Sequence, residues 1–475
     1  MTDAERHDGA TEPVDPAVVG RPADPEVTDP GAADPGAESD GALVAFKSRE
    51  FTTFWVAGLI SNTGTWMQTV TVPYVVDQLT HSTALVGVAA FCTYFPATLV
   101  SPIAGSLSDR RDRRAVLIWA QVVMMAMATA LWALWSSGSA TTVLILVCVV
   151  ISALGNGITI AAWQSYVPQL VPRGALLSAV RLNSMQFTGA RAFGPALAGL
   201  ILATLGPSAA FGINAISFLV VIGALMMLTP RPPVMVGAQG SVIQHFREGL
   251  RYLRRRQVFV VSVLMVFFVA MFGVGLVQLV EPFTRHVLDV GAGVYGLLTA
   301  GYGGGAVVGS LFMVWFGDSF RRSHFTMVGV VAMVVGVVAL GLSPAWGFAL
   351  AALFLMGIAQ VFCTVSCNTA LQLNVDEGFR GRVSSLFLMS FFAAAPLGAL
   401  VGGVTGQLVG LRATIVGAAV LLAAVSTWMV LHYHRLHPLD EAVPIADSSE
   451  ETDQHGRRPL PVDLDTAGHL RVEVD

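Results

Sequence analysis

The sequence predicts an all-α membrane protein with twelve transmembrane helices in two pseudo-symmetric six-helix bundles, flanked by disordered acidic tails. Three observations carry this. Of 475 residues, 54% are hydrophobic and only 12% are charged, about half the charged share of an average soluble domain, and the mean hydropathy is +0.67. Apolar runs long enough to cross a hydrocarbon core roughly 30 Å thick recur along the chain. They fall as six, a polar gap, and six.

Residues 1–45 hold eleven acids against two bases and carry Asp-Pro pairs at Asp15, Asp24, Asp29 and Asp34. Such a segment cannot bury enough apolar area to offset its ordering entropy, so a disordered tail is expected. The same holds for 436–475, whose residues 440–475 contain ten acids and three bases. The chain's net charge of -4 hides an asymmetry: the tails take 21 of 31 acids and five of 27 bases, leaving +12 between them. The N-terminus lacks the basic and short apolar regions of a cleavable signal, so the first span is expected to be a retained anchor.

The first bundle, 46–229, contains candidate spans 52–76, 84–107, 115–136, 142–168, 178–204 and 209–229. The second, 258–435, contains 258–282, 294–317, 324–342, 346–370, 382–408 and 412–434. Between them, 230–257 includes "FREGLRYLRRRQ" (246–257). Phe246, Leu250 and Leu253 among arginines predict a basic amphipathic helix on the inner membrane surface; nucleic-acid or calmodulin-type binding is the weaker alternative.

Orientation follows from the short loops. Lys47, Arg49, the arginines of 110–114, Arg173, the 231–256 segment, Arg321, Arg322, Arg380, Arg382 and Arg435 fall on one side, and only Arg285 and Arg412 on the other. Both termini and the central segment are therefore expected in the cytoplasm. The halves also echo each other: "GPALAGLI" (194–201) matches "APLGALVGG" (395–403), and "QLVPRGALLSAV" (169–180) matches "QLNVDEGFRGRVSSL" (372–386). Two related six-span halves are the layout of a transporter whose site lies between the repeats.

The loop between spans two and three reads "GSLSDRRDRRAV" (105–116). Gly105, Leu107, Asp109, Arg110, Arg113 and Arg114 match the pattern G-x-L-a-D-R-x-G-R-[RK], and over 46–435 the chain resembles the major facilitator superfamily. It departs at Ser108 and at Asp112, where that family has Gly. The resemblance implies that Asp109 bridges to the start of span eleven, near Arg382 and Ser384, when the transporter faces outward. The loop also serves as a topology determinant. The second-half copy, "GDSFRRSH" (317–324), keeps Asp318, Arg321 and Arg322 but has Val314 in place of the glycine.

Span five carries "GARAFGPALAG" (189–199). Gly189, Gly194 and Gly199 permit close helix approach and Pro195 removes a backbone hydrogen bond. The pattern is similar to an exporter-associated signature, and with "FGINAISFLVV" downstream the chain resembles the enterobactin exporter and macrolide efflux subgroup. Ordinary glycine packing is the bland alternative. Span four, "ISALGNGITIAAWQSY" (151–166), lacks the arginine of many proton-coupled drug exporters.

Charges at membrane depth are costly and usually functional. Arg191, about thirteen residues and ~20 Å into span five, is a candidate to bind an anionic substrate or pair with an acid; a structural arginine bonded to helix carbonyls at the Gly-Pro bend is the alternative. Arg181 is expected to snorkel. Asp77 ends span one and Glu281 ends span seven. Glu281, after Gln278 and before Pro282, reads as a partly buried carboxylate suited to proton coupling, or as a solvated loop carboxylate beside Arg285. Uncharged cavity candidates are Asn62, Trp66, Gln68, Asn156, Gln278 and Gln360, which suit a large amphipathic substrate. Cys92, Cys148, Cys363 and Cys367 lie in apolar runs as packing residues, although Cys363 and Cys367 share a helix face. "GYGGGAVVG" (301–309) lies mid-span and reads as packing, and no nucleotide-binding loop of the G-x-x-x-x-G-K-[ST] type occurs. No metal, cofactor or catalytic residue is expected.

The predicted activity is secondary transport exporting an amphipathic small molecule (drug, macrolide or siderophore) by alternating access in exchange for protons. The protein is expected to be a monomer in the cytoplasmic membrane, with the lipid bilayer as its partner and no nucleic acid. An uptake transporter for a small metabolite, or a non-transporting receptor or scaffold, is the alternative.

Overall fold

The computed structural model describes residues 43–110, 112–229, 242–254, 256–317, 321–433 and 439–440; for 101–110, 242–246 and 377 it describes the backbone alone. The predicted tails, apart from 43–45 and 439–440, lie outside the described residues. The described chain is built from helices: α1 (Arg49–Thr80), α2 (Thr83–Arg110), α3 (Arg113–Ser136), α4 (Thr142–Tyr166), α5 (Leu176–Thr204), α6 (Gly206–Met227), α7 (Val242–Leu253), α8 (Gln257–Val269), α9 (Gly275–Val277), α10 (Val280–His286), α11 (Ala292–Phe316), α12 (Arg322–Leu342), α13 (Trp346–Asn374), α14 (Arg380–Val409) and α15 (Leu411–His432).

Eleven helical segments among the described residues are long and apolar enough to cross a membrane. The difference from the expected twelve is α1, which has 32 residues and spans about 48 Å but is rich in Thr. It meets that polarity internally. Thr63, Thr65, Thr69 and Thr71 each donate a hydroxyl to the carbonyl four residues back, at 2.7–3.0 Å, which removes much of the cost of placing them in an apolar solvent.

Within the first six helices, α1 packs on α5 and α6, α2 on α4, and α3 on α4 and α6. In the second set, α11 and α12 pack on α13, α12 on α15, and α14 on α8, α9 and α15. The sets are joined chiefly by α2 against α14 and α5 against α11, and also by α1 against α10.

Candidate span seven is not one helix. After α8 the backbone widens into a π-helical segment, Ala270–Val274, resumes as α9, turns at Gln278 and Leu279, and restarts as α10. Pro282 accounts for the restart: it has no N–H to return to the carbonyl four residues earlier, that of Gln278. Hydropathy alone does not register such a break.

For orientation, the end carrying Arg113, Arg114, Arg380 and Arg382 is here called the basic end, and the end carrying Asp77, Arg285 and Arg412 the far end. The contacts between the two sets concentrate toward the far end. A Cβ placed on Gly199 would lie 2.5 Å from the Gly296 Cα, so α5 and α11 touch backbone to backbone there. Gly87 and Gly403 form the matching contact between α2 and α14, and Gln407 Oε1 accepts the Thr83 N–H at 3.0 Å. Farther along α5, Gly303 still meets Ala192. Continued toward the basic end, the same face of α5 presents Thr188, Met185, Arg181 and Leu177, all exposed, with Met185 at 57% and Leu177 at 62%. The seam is closed at the far end and parted toward the basic end.

The linker helix forms, as α7. α7 docks on the start of α14. Gly249 meets Leu386 and Arg382, Glu248 pairs with Arg382 at 3.1 Å, and the Tyr252 hydroxyl donates to Asp376 at 2.8 Å while its ring stacks on Phe379. Tyr252 and Leu253 are buried, whereas Leu250, expected on the apolar face, is exposed. Phe246 has no described side chain.

Candidate functional site

Midway along the helices, four elements converge on Arg191. Its Nη2 donates to Gln360 Oε1 on α13 at 3.2 Å, and the Tyr302 hydroxyl of α11 donates to the same oxygen at 2.6 Å. The guanidinium carbon sits 5.7 Å from the Trp66 ring centroid on α1 and 5.8 Å from that of Tyr302, within cation–π range. Neither an acid nor a run of helix carbonyls, the two partners considered from sequence, holds this arginine among the described residues. Tyr94 of α2 lies beside it, next to Gln278 and Thr69. Arg191, Gln360, Trp66 and Gln278 therefore meet in one polar and aromatic cluster built from both halves. Tyr302 and Tyr94 are the members that sequence reasoning missed; a lone tyrosine inside a glycine run, whose hydroxyl needs a partner when buried, was the available signal.

Other nominated residues go elsewhere. Gln68 Oε1 accepts Asn214 Nδ2 at 2.7 Å and ties α1 to α6, and with Asn156 it borders a small cavity of ≈ 60 Å³. Asn62 keeps a buried Nδ2 without a hydrogen-bond partner among the described residues. Gly194 packs against Trp66 and Gly199 against Gly296, as close approach requires, but Gly189 faces open space and contributes no such contact. Pro195 sits inside an unbroken α5. The buried Cys363 and Cys367 contact Thr326 on α12 and act as packing residues.

At the far end, α1 and α10 are joined by charge. Asp77 is fully buried; its carboxylate meets His286 Nε2 at 2.9 Å and Arg285 Nη1 at 3.5 Å. Glu281 is 2% exposed, which overturns the solvated-loop reading, and its carboxyl group lies beside that of Asp77. Among the described residues, Glu281 Oε2 has no hydrogen-bond partner.

At the basic end, the loop between α2 and α3 clamps the first half. Asp112 is the N-cap of α3 and accepts the Arg114 N–H at 3.0 Å, which explains an acid where glycine is usual. Arg114 donates to the Leu225 and Met226 carbonyls at 2.6 and 2.9 Å, and Arg113 to the Ser165 carbonyl at 3.0 Å. Both cations thus satisfy C-terminal carbonyls, of α6 and α4, where the helix dipole favours positive charge. Gly105, Asp109 and Arg110 lie in the last turns of α2, and their side chains lie outside the described residues. Asp318 also lies outside them, Arg321 is the N-cap of α12 and Arg322 its first residue. That helix is capped from the chain's other end: Asp440 accepts the Ser323 N–H at 3.0 Å and its hydroxyl, and the neighbouring Leu439 is buried.

Comparison with known proteins agrees with this architecture. The sequence profile described as "Transmembrane secretion effector" matches residues 40–464. The enterobactin exporter EntS of Citrobacter koseri is 23% identical over 410 residues, 84% of this chain and 95% of that protein. Macrolide efflux protein A of Streptococcus pyogenes is 21% identical over 374 residues, 76% and 91% of the two chains. A solved bacterial homolog of the human lysosomal transporter Spinster, inward-facing and unoccupied, superposes with a TM-score of 0.68 at 16% identity, covering 84% of this chain and 99% of that one. The D-xylose-proton symporter gives 0.64 at 17% identity, covering 79% and 97%. With the two helical sets, the matching profile and these folds together, the chain belongs to the transmembrane secretion effector family of major facilitator transporters.

Proposed function

We propose that this protein exports amphipathic small molecules across the cytoplasmic membrane by alternating access, in exchange for protons, with both termini and α7 in the cytoplasm. The observation that carries the reading is the cluster around Arg191: it is built from both halves, lies midway along the helices, and sits where the α5–α11 seam begins to part. In this reading the basic end is cytoplasmic, and the conformation described is open inward and shut outward. A substrate enters along the exposed face of α5, contacts the rings of Trp66 and Tyr302, and is released after the far-end seam parts and the basic end closes.

The family supports transport, and the exporters among its relatives favour outward flux. The Asp77–Glu281 pair is the proposed coupling site. Parting α1 from α10 would separate the two carboxyl groups and open both to the outside, where a proton is loaded for the return. Asn62, Gln68 and Asn156 border the path, and Asp109 latches the closed basic end. The test is flux in inside-out vesicles with an imposed pH gradient, using enterobactin as the first probe. Accumulation driven by an acidic lumen, and abolished in Glu281→Gln, is expected. Flux in the opposite direction would establish uptake, and pH-independent flux would remove the coupling role.

A further inference from the structure

We infer that the site around Arg191 takes an organic anion with an aromatic or apolar body, and that the guanidinium is its counter-ion. This rests on the reading of the cluster as the substrate site and names the class of substrate it selects. The guanidinium has five N–H donors in a rigid fork, and among the described residues it meets only neutral partners, the Tyr302 side chain and the Gln360 amide oxygen. That oxygen is already shared with the Tyr302 hydroxyl. No carboxylate forms an ion pair with Arg191 among the described residues. Asp77, the buried acid of the first half, is engaged at the far end by Arg285 and His286.

A positive charge held at this depth without an internal counter-ion is costly in a low-dielectric surrounding. The faces of Trp66 and Tyr302 offset part of that cost through their ring quadrupoles but leave the net charge in place. A carboxylate, sulfonate or phenolate entering along the exposed face of α5 completes the pairing, and an Arg fork receives such a group with two parallel bonds. The same rings accept a flat apolar body. A cationic amphiphile meets an unneutralised like charge and is rejected, the repulsive element that specificity requires.

The test uses the full chain in nanodiscs with two probes of the same shape and opposite charge, 1-naphthoate and 1-naphthylmethylammonium, measured by equilibrium binding. The expected result is saturable naphthoate binding at least tenfold tighter than the ammonium. Arg191→Gln should lose at least tenfold in naphthoate affinity, and Arg191→Lys should retain most of it. If Arg191→Gln fails to fold, Gln360→Glu serves instead: it supplies an internal counter-ion and should weaken naphthoate by a similar factor. Equal binding of the two probes, no saturable naphthoate binding, or unchanged naphthoate affinity in the folded variants overturns the inference. Saturable naphthoate binding without counterflow in proteoliposomes would uphold the anion site while removing the transport reading. Counterflow of the ammonium alone would do the reverse.

Discussion

The glycine seam at the far end permits a direct test of the two-state reading through Gly296→Val. A side chain at Gly296 projects onto the Gly199 backbone, and the reciprocal Cβ on Gly199 would stand 2.5 Å from the Gly296 Cα. Carbon atoms in contact prefer about 3.5–4.0 Å, so the helices must part locally by an ångström or more. The obstacle is backbone, so no rotamer change relieves it. Overpacking of this kind costs about 1–3 kcal/mol, and it burdens only the state whose far end is shut. An equilibrium between the two states should therefore move by about 5- to 150-fold toward far-end opening. Spin labels at Ser139 and Ala345, both exposed in far-end loops, report this by distance measurement once the four native cysteines are replaced. The expected result is a new, longer far-end distance that accounts for a major share of the distribution. A folded variant whose distribution matches the parent would refute the argument that this contact holds the far end closed.

Arg114→Ala leaves the last carbonyls of α6 without their cation and should lower stability in detergent by about 1–2 kcal/mol, read by denaturant unfolding. Asp440→Ala removes the cap of α12 and should cost about 1 kcal/mol, with faster amide exchange confined to the first turn of that helix. Asp109→Asn should slow turnover at least tenfold while leaving substrate binding within a factor of two; unchanged turnover would dismiss the latch. Deleting residues 1–41 and 441–475 should leave transport intact, and loss of function in a folded truncate would favour a scaffold.

Much of the fold was legible because apolar runs and basic loops answer to one strong constraint, the bilayer. The helix ends fall within a few residues of the expected spans. The break in span seven escaped because hydropathy averages over backbone conformation, although Pro282 after Glu281 was a readable cue. For the site, composition pointed to Arg191, Gln360 and Trp66 one at a time, because a charge or amide in an apolar run stands out. Their meeting depends on how α5, α11 and α13 cross, which no single helix encodes. Tyr302 was hidden by the glycines around it, and His286 by its loop position. Asp112 was visible as an anomaly, but only the geometry of the α3 N-terminus shows what an acid does there.

The far-end seal has a consequence for time as well as space. Because Gly199 faces Gly296 and Gly87 faces Gly403, the barrier there is main chain. A barrier of side chains flickers as rotamers hop in picoseconds to nanoseconds, whereas rigid displacement of whole helices takes microseconds to milliseconds. Passive leakage through this protein is therefore tied to the same slow clock as its turnover. A substitution that loosens the seam should raise leak and exchange together, and one that locks it should silence both.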